Sequence, residues 1–281
     1  MKLVVAVSGG VDSMVMLDIL ASRGEDDLIV AHVDHGIRVD SQLDDSFVRS
    51  VAEHRGLTYV STQLQLGQNA SEETARRTRH NWLHEIRIAH QADAIATAHH
   101  QDDIIETIFI NLIRGTGWRG LCSLRETKHY KRPLLGMSKT DIVRYAIDHD
   151  LKWSEDSTND DMKFLRNRLR HGAVARMTQS EKKLLRSLYD AQVELRQQIA
   201  VEIDRLDIKH AELPRELLTS VDRSVGREIL RTWLGASYET RRLDDLWNFA
   251  KVARTNALWS LDTSRFVRVT RGSLIVTEPD D

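Results

Sequence analysis

The sequence predicts an α/β protein: a doubly wound parallel sheet, then a smaller, mainly helical domain ending in a β-hairpin. Three observations carry this. Apolar β-branched runs alternate with helical patterns through the first half, a rhythm that builds parallel strands covered on both faces. From 179 to about 253 the spacing turns almost entirely helical. Near the end, two alternating runs at 266–270 and 273–276 flank Arg271-Gly272, the pattern of a hairpin. At 281 residues the chain exceeds one typical core. Two domains are therefore expected, 1–178 and 179–281.

Leu3-Val4-Val5-Ala6-Val7 reads as the first strand and 11–22 as the first helix. Strands at 28–33, 57–62 and 93–98 follow, separated by helices at 42–55 and from 71 to about 90. Glu72 and Glu73 sit where acids favour a helix start. A helix at 102–113 comes next. Ser138 and Asp141 form a capping pair for a helix running to about 151. Residues 156–161 are a polar loop, and helical spacing resumes over 166–177.

Composition excludes several classes. The apolar content of 41% suits a soluble protein, and no run approaches a membrane span. Lys2 precedes only a strand-length apolar run, so no signal peptide is expected. The single cysteine, Cys122, excludes an internal disulfide framework and fits a cytoplasmic location. The net charge of −2 is uninformative, but its distribution is not. Between Lys163 and Arg186 eight Lys/Arg face one acid, Glu181; between Arg114 and Arg132 six face Glu126. Such patches suit a polyanion, and a solvated helix face is the competing reading.

The loop Ser8-Gly9-Gly10-Val11-Asp12-Ser13 follows the first strand and opens a helix. Glycines admit positive φ and close approach of an anion, and the helix start adds N–H donors. The serines add hydroxyls, and Asp12 can reach a magnesium ion on bound phosphates. The loop has no lysine, so it is not the Walker loop. The second segment is His99-His100-Gln101-Asp102-Asp103-Ile104-Ile105-Glu106. On a helix Asp102, Asp103 and Glu106 share a sector, with Ile104, Ile105, Ile108, Phe109 and Leu112 as the buried stripe opposite. Clustered carboxylates repel unless a cation joins them, a metal ion or an amine. Segments 8–13, 34–38 and 99–103 all follow strands, at the sheet edge where ligands bind. His32, His35, His80 and His84 read as structural or surface residues. Trp118, Trp153 and Trp233 read as packing residues, and Cys122 as a small core residue.

The loop resembles the SGGxDS loop of the PP-loop ATP pyrophosphatases. Ala98-His99-His100-x-Asp102-Asp103-x-x-Glu106-Thr107 is similar to the second signature of the tRNA(Ile)-lysidine synthetase family. Further pieces fit in order. These are Val33-Asp34-His35-Gly36-Ile37-Arg38, Ser71-Glu72-Glu73-Thr74-Ala75-Arg76 and Arg114-Gly115-Thr116-Gly117 with Gly120-Leu121. Arg132-Pro133-Leu134-Leu135, Asp156-Ser157-Thr158-Asn159 and Arg166-Asn167-Arg168-Leu169-Arg170 complete the series. Asn is commoner than Asp in that family at the position of Asp34. The resemblance spans about 1–177, and the chain looks like a short form without the large C-terminal domain.

The resemblance implies a ligase using ATP and Mg2+. The 2-carbonyl oxygen of the first anticodon cytidine is adenylated, and free L-lysine then displaces AMP to leave lysidine. The implied partners are tRNA(Ile) with a CAU anticodon and L-lysine, with no membrane and a homodimer as one allowed assembly. Ser8, Gly9, Gly10, Val11, Asp12 and Ser13 would bind ATP, with Asp12 toward the metal. Asp12, His99, Asp103, Glu106 and Arg114 would be catalytic, with His99 in adenylation and Asp103 and Glu106 holding lysine. Arg166, Arg168 and Arg170 would contact tRNA. Two other readings stand beside this: another PP-loop adenylating amidotransferase-type enzyme, and a non-catalytic tRNA- or nucleotide-binding module. One cysteine argues against the tRNA thiolases of the superfamily, which use paired cysteines.

Overall fold

The computed structural model describes residues 1–24, 27–34, 41–64, 72–154, 165–206, 208, 212–235 and 238–278. The chain forms two compact units, Met1–Val193 and Glu194–Asp281. The division falls inside the long helix α8 (Gln179–Asp204).

The first unit is built on β1 (Lys2–Ala6), β2 (Asp27–Asp34), β3 (Thr58–Gln63), β4 (Ala94–Ala96) and β5 (Tyr130–Lys131). They form one sheet in the order β3-β2-β1-β4-β5, every neighbouring pair parallel. Alternation along β1 divides the core. Leu3, Val5 and Val7 face Met14, Leu17, Val48 and Ile142, while Val4 faces Ile29, Leu83 and Ile95 on the other side. A period of two thus places helices α1 (Val11–Arg23), α2 (Ser41–His54) and α6 (Lys139–Asp148) on one face and α3 (Glu72–Ala89) on the other. The strand order reverses between β1 and β4. Their carboxyl ends diverge into separate connections there, which leaves a crevice. β5 has no counterpart in the sequence reading, because two residues cannot show alternation.

Helix α4 (Gln101–Ile113) follows β4 and carries the acidic segment. After it come the short α5 (Trp118–Leu121), then α7 (Leu165–Leu169) and a π-helical turn, Arg170–Val174. The expected helix over 166–177 is therefore split in two. On α4, Ile104, Ile105 and Ile108 are buried as expected, but Leu112 is exposed, and Asp103 and Glu106 are buried as well. The helix is covered on more than its apolar side.

The second unit has helices α9 (Glu216–Thr219), α10 (Arg223–Leu234) and α11 (Thr240–Val252) against a sheet ordered β6-β9-β8-β7. The expected hairpin is β8 (Phe266–Val269) and β9 (Ser273–Thr277), with Val267 opposite Val276. It is the centre of that sheet. β6 (Glu212–Pro214) and β7 (Leu258–Ser260) flank it, three-residue strands too short to be legible and, for β6, interrupting the expected helical run. Leu230, Trp233, Leu243 and Leu274 form the core, so Trp233 packs as expected. Gly226 allows α10 to meet α11: a Cβ there would lie 2.3 Å from the Trp247 ring. Among the described residues no helix is long and apolar enough to cross a membrane.

Candidate active site

β1 leads into the glycine loop. Gly9 has φ +94°, a conformation that L side chains rarely adopt, and its carbonyl accepts the Ser154 N–H at 2.9 Å. Gly10 caps α1 in an extended conformation without any side-chain cap. The N–H groups of the first turn are thus left without a capping oxygen, which suits an anion. The two serines brace the loop. Ser13 Oγ donates to the Gly10 carbonyl at 2.9 Å and accepts the Ser8 N–H at 3.2 Å. Ser8 is exposed and Ser13 buried.

β4 ends one strand away, and His100 caps α4. Its Nδ1 accepts the Asp102 N–H at 3.2 Å, while Asp103 Oδ2 accepts the His100 N–H at 2.9 Å. This reciprocal box fixes both side chains. With Nδ1 accepting, the His100 proton sits on Nε2, 3.6 Å from Asp103 Oδ2 and 3.9 Å from Asp12 Oδ2. The two site segments therefore meet at His100. Burial raises the Asp103 carboxyl, but His100, His99, Arg166 and the His100 N–H outweigh it and hold Asp103 below its ordinary value. His99 goes the other way from a typical histidine. Burial, with Arg132, Arg166 and Arg79 nearby, pushes it down to about 3 against the pull of Asp103. Its ring is neutral at pH 7, a weak base, with Nδ1 3.0 Å from Thr97 Oγ1.

The cations that the acidic cluster needs come from the chain itself. Arg166 and Arg170, one helical turn apart, grip Glu106 from both sides: Arg166 Nε donates to Oε2 at 2.8 Å, and Arg170 Nε to Oε1 at 2.7 Å. Arg170 also reaches Asp103 Oδ1 at 3.3 Å. Burial lowers the Arg170 guanidinium, but Glu106, Asp103 and Asp12 raise it further, so it stays charged. Lys182 of α8 donates to Asp102 at 3.0 Å, and Lys139 of α6 to Asp12 at 2.6 Å.

These side chains surround a cleft of about 950 Å³ in the first unit. Its wall includes Ser8, Gly10, Val11, Asp12 and Ser13 from the loop and His99, His100, Asp102 and Asp103 from the α4 side. Arg79, Lys139, Trp153, Arg170 and Lys182 also lie on it. A family profile described as a PP-loop domain matches residues 1–177, the part that supplies all of the named cleft residues but Lys182. The chain belongs to the PP-loop family. The PP-loop protein is 35% identical over 179 residues to a tRNA(Ile)-lysidine synthase of Solibacter usitatus, covering 63% of this chain and 41% of that one. It is 38% identical over 185 residues to the Geobacter sulfurreducens tRNA(Ile)-lysidine synthase, covering 62% and 39%. The chain therefore spans about two fifths of the length of these curated relatives. Among solved structures, the U34-tRNA thiolase NcsA of Methanococcus maripaludis, with its [4Fe-4S] cluster, superposes with TM-score 0.55. That likeness, at 22% identity over 69% of this chain and 72% of that one, is one of fold. The PP-loop protein has one cysteine, Cys122, and it is buried.

Ser8, Gly10, Val11, Asp12, Ser13, His99 and Asp103 thus come together on one cleft, while Gly9 is buried behind it. Glu106 does not line it; its side chain is 0% exposed and enclosed by the two arginines. Arg114 is not brought to the cleft either. It caps the far end of α4, exposed, about 17 Å along the axis from Asp103. Arg168 is exposed, whereas Arg166 and Arg170 face Glu106. Among the cleft residues, the sequence assigns no role to Arg79 or Lys139, and Lys182 enters there only as one of the eight cations between 163 and 186. Arg79 stood in a run of arginines resembling a helix surface, and Lys139 and Lys182 come from helices far along the chain. The sequence assigns His100 no role of its own. His32 and His80, expected to be structural or surface residues, also line the cleft; His32 Nδ1 is 2.8 Å from the Val7 carbonyl, and His80 Nδ1 lies 3.0 Å from the Tyr130 hydroxyl. His35, the rest of 35–38, Ser71 and the polar loop 156–161, which the sequence singles out, lie outside the described residues.

Proposed function

We propose that this PP-loop protein is a tRNA(Ile)-lysidine synthase. It would adenylate the first anticodon cytidine of tRNA(Ile) with ATP and join lysine to the activated carbon. The observation that carries the reading is the meeting of loop 8–13 with the His99–Asp103 segment across adjacent β1 and β4, one able to cradle phosphate and the other acidic. The resemblance of both segments to that family, and the relatives that bear its name, support it.

In this reading the glycine-loop N–H groups hold the triphosphate. Asp12, half-buried at the first turn of α1, fits as a carboxylate for magnesium, which would neutralise charge on the departing pyrophosphate. Neutral His99 donates a hydrogen bond to the reacting carbonyl oxygen without adding charge. Asp103, ionised and on the cleft wall, receives the lysine ammonium. Glu106 acts on lysine through Arg170, which it holds against Asp103. Arg168 and the parts of Arg166 and Arg170 left free by Glu106 meet the tRNA backbone. The helical part after 178 positions the tRNA, Arg114 contacts it away from the cleft, and the protein works in the cytoplasm, alone or as a homodimer.

Incubation with ATP, lysine and tRNA transcripts bearing a CAU anticodon, followed by nucleoside mass analysis, tests this. Lysidine in place of cytidine is expected. An ammonia-derived product would favour the amidotransferase-type reading. ATP left intact would favour the binding module.

A further inference from the structure

Asp103, read above as the seat of the lysine ammonium, already accepts the His100 N–H at 2.9 Å and an Arg170 N–H at 3.3 Å. Its neighbour Asp102 lies on the same wall of the cleft and holds a different kind of cation. Lys182 Nζ lies 3.0 Å from Asp102 Oδ1, and Lys182 lines the cleft as well. The two side chains keep 17% and 18% of their exposure, so this ammonium sits on the wall and not in open solvent. Its four-carbon stem and terminal ammonium are those of free lysine, the amine that the cleft is read to admit. The wall thus carries a copy of the group it has to bind.

Neither helix formation nor docking accounts for a cation at this place. Lys182 is the fourth residue of α8, where the helix dipole disfavours positive charge. The helix start is fixed without it: Thr178 Oγ1 accepts the Glu181 N–H at 3.3 Å, and Glu181 Oε2 accepts the Thr178 N–H at 2.7 Å. Other groups hold this part of α8 to the first unit. Tyr189 packs with Ile104, Ile108 and Leu124, and its hydroxyl donates to the Leu124 carbonyl at 2.7 Å. Arg186 Nη1 donates to the Leu135 carbonyl at 2.5 Å. Lys182 can therefore leave Asp102 while the helix stays in place. Exchanging it for another alkylammonium puts the same charge on the same carboxylate. The arginines on Glu106 are different: their planar forks grip a carboxylate that is 0% exposed.

We infer that Lys182 is an internal competitor for the amine subsite: seated on Asp102, its ammonium keeps free lysine out, and lysine binds by displacing it and taking Asp102 together with Asp103. The inference rests on the reading of the cleft as a lysine site. Because Lys182 is tethered, it competes at an effective concentration that free lysine has to exceed. The residue thereby raises the lysine concentration at which the cleft fills. It also keeps two adjacent carboxylates from facing each other uncompensated while the subsite is empty.

Calorimetric titration of the full chain with L-lysine, MgATP present, tests it. Lys182→Met, similar in length but uncharged, should bind lysine about three- to tenfold more tightly, the span of a partly screened charge contact. Lys182→Arg keeps the charge and should stay near the parent. Norleucine, which is lysine without its side-chain ammonium, should gain nothing from Lys182→Met. Lysine affinity unchanged or weakened in Lys182→Met overturns the inference, because the ammonium is then no competitor. An equal gain for norleucine overturns it too, since the substitution would only have opened an apolar wall. A parent and a Lys182→Met protein that both fail to bind lysine overturn the lysine reading itself and the inference with it. If Lys182→Met does not fold, the side-chain ammonium resonance of Lys182 in the nitrogen-15-labelled parent, assigned by its loss in Lys182→Arg, gives the second measurement. Saturating unlabelled lysine should move it into solvent exchange, and a resonance that stays in place rejects the assignment.

Discussion

The two walls of the cleft are made differently. The glycine loop is built mostly by its own residues: Gly9 supplies the positive φ, the Ser8–Ser13 and Ser13–Gly10 bonds span five residues or fewer, and one distant backbone bond, from the Ser154 N–H to the Gly9 carbonyl, is added. The acidic wall on α4 is built by partners far along the chain. Glu106 meets Arg166 and Arg170 at separations of 60 and 64, and Asp102 meets Lys182 at 80. A backbone cradle can form as soon as β1 and α1 pack. A buried carboxylate cannot exist until its counter-cations dock, because the desolvation of an unpaired charge is prohibitive. The loop wall is thus locally encoded, and the acid wall makes α4 depend on α7, the π-helical turn and α8.

The comparison can be broken or sharpened by substitution. The largest effect should come from the loop wall. Asp12→Ala removes a half-exposed carboxylate whose partner, Lys139, can return to water, so the melting temperature should hardly move. ATP-dependent AMP release with tRNA present should nonetheless fall by about a hundredfold or more. A variant that turns over normally would remove Asp12 from the chemistry.

On the acid wall stability should suffer first. Glu106→Gln leaves two guanidinium groups facing a neutral amide. The expected cost is about 2–4 kcal/mol in chemical denaturation, less than for a fully buried pair because the arginine side chains keep 22% and 35% of their exposure. A loss below about 0.5 kcal/mol, within the range of ordinary surface changes, would show that the clamp is dispensable. If stability holds while the lysine requirement rises, Glu106 belongs to lysine directly.

A smaller effect follows from His99. Its folded value is depressed to about 3 from 6.5. Above 6.5 the ring is neutral in both states and the contribution is fully present. As pH falls below 6.5 the unfolded chain takes up the proton and the folded protein does not, so stability is lost. Urea unfolding between pH 7.5 and 5 should show this loss, and His99→Gln should flatten it. Asp103, also depressed, contributes in the same direction but only below its ordinary 3.8, outside that window. Equal slopes in parent and variant would mean that the ring titrates normally.

The smallest effect is expected at Arg168, which is exposed and so should matter to a polyanion but not to the fold. Arg168→Ala should leave the melting curve in place. It should lower the slope of log tRNA affinity against log salt by about 0.7–0.9, one phosphate contact. An unchanged slope makes it a solvated side chain.

How far the sequence reached follows the same division. Strands β1 to β4, the helices between them, the glycine loop and the central hairpin were legible because each is a local pattern: alternation, helical spacing, two adjacent glycines. β5, β6 and β7 were not, since two or three residues carry no period and form only against a neighbouring strand. The acidic cluster was visible as a cluster but not as an arrangement. Asp102, Asp103 and Glu106 lie together on one helix by spacing alone, yet only the docking of Arg166, Arg170 and Lys182 decides that Asp103 lines the cleft while Glu106 is enclosed. Spacing likewise brought Arg114 close to Glu106 in sequence, and helix rise carried it away. What the sequence determined by itself is whatever the backbone can do over a few residues. Charge neutralisation inside the fold acts through space, so the partners of Asp12, Asp103 and Glu106 were settled only when distant helices closed over the carboxyl edge of the sheet.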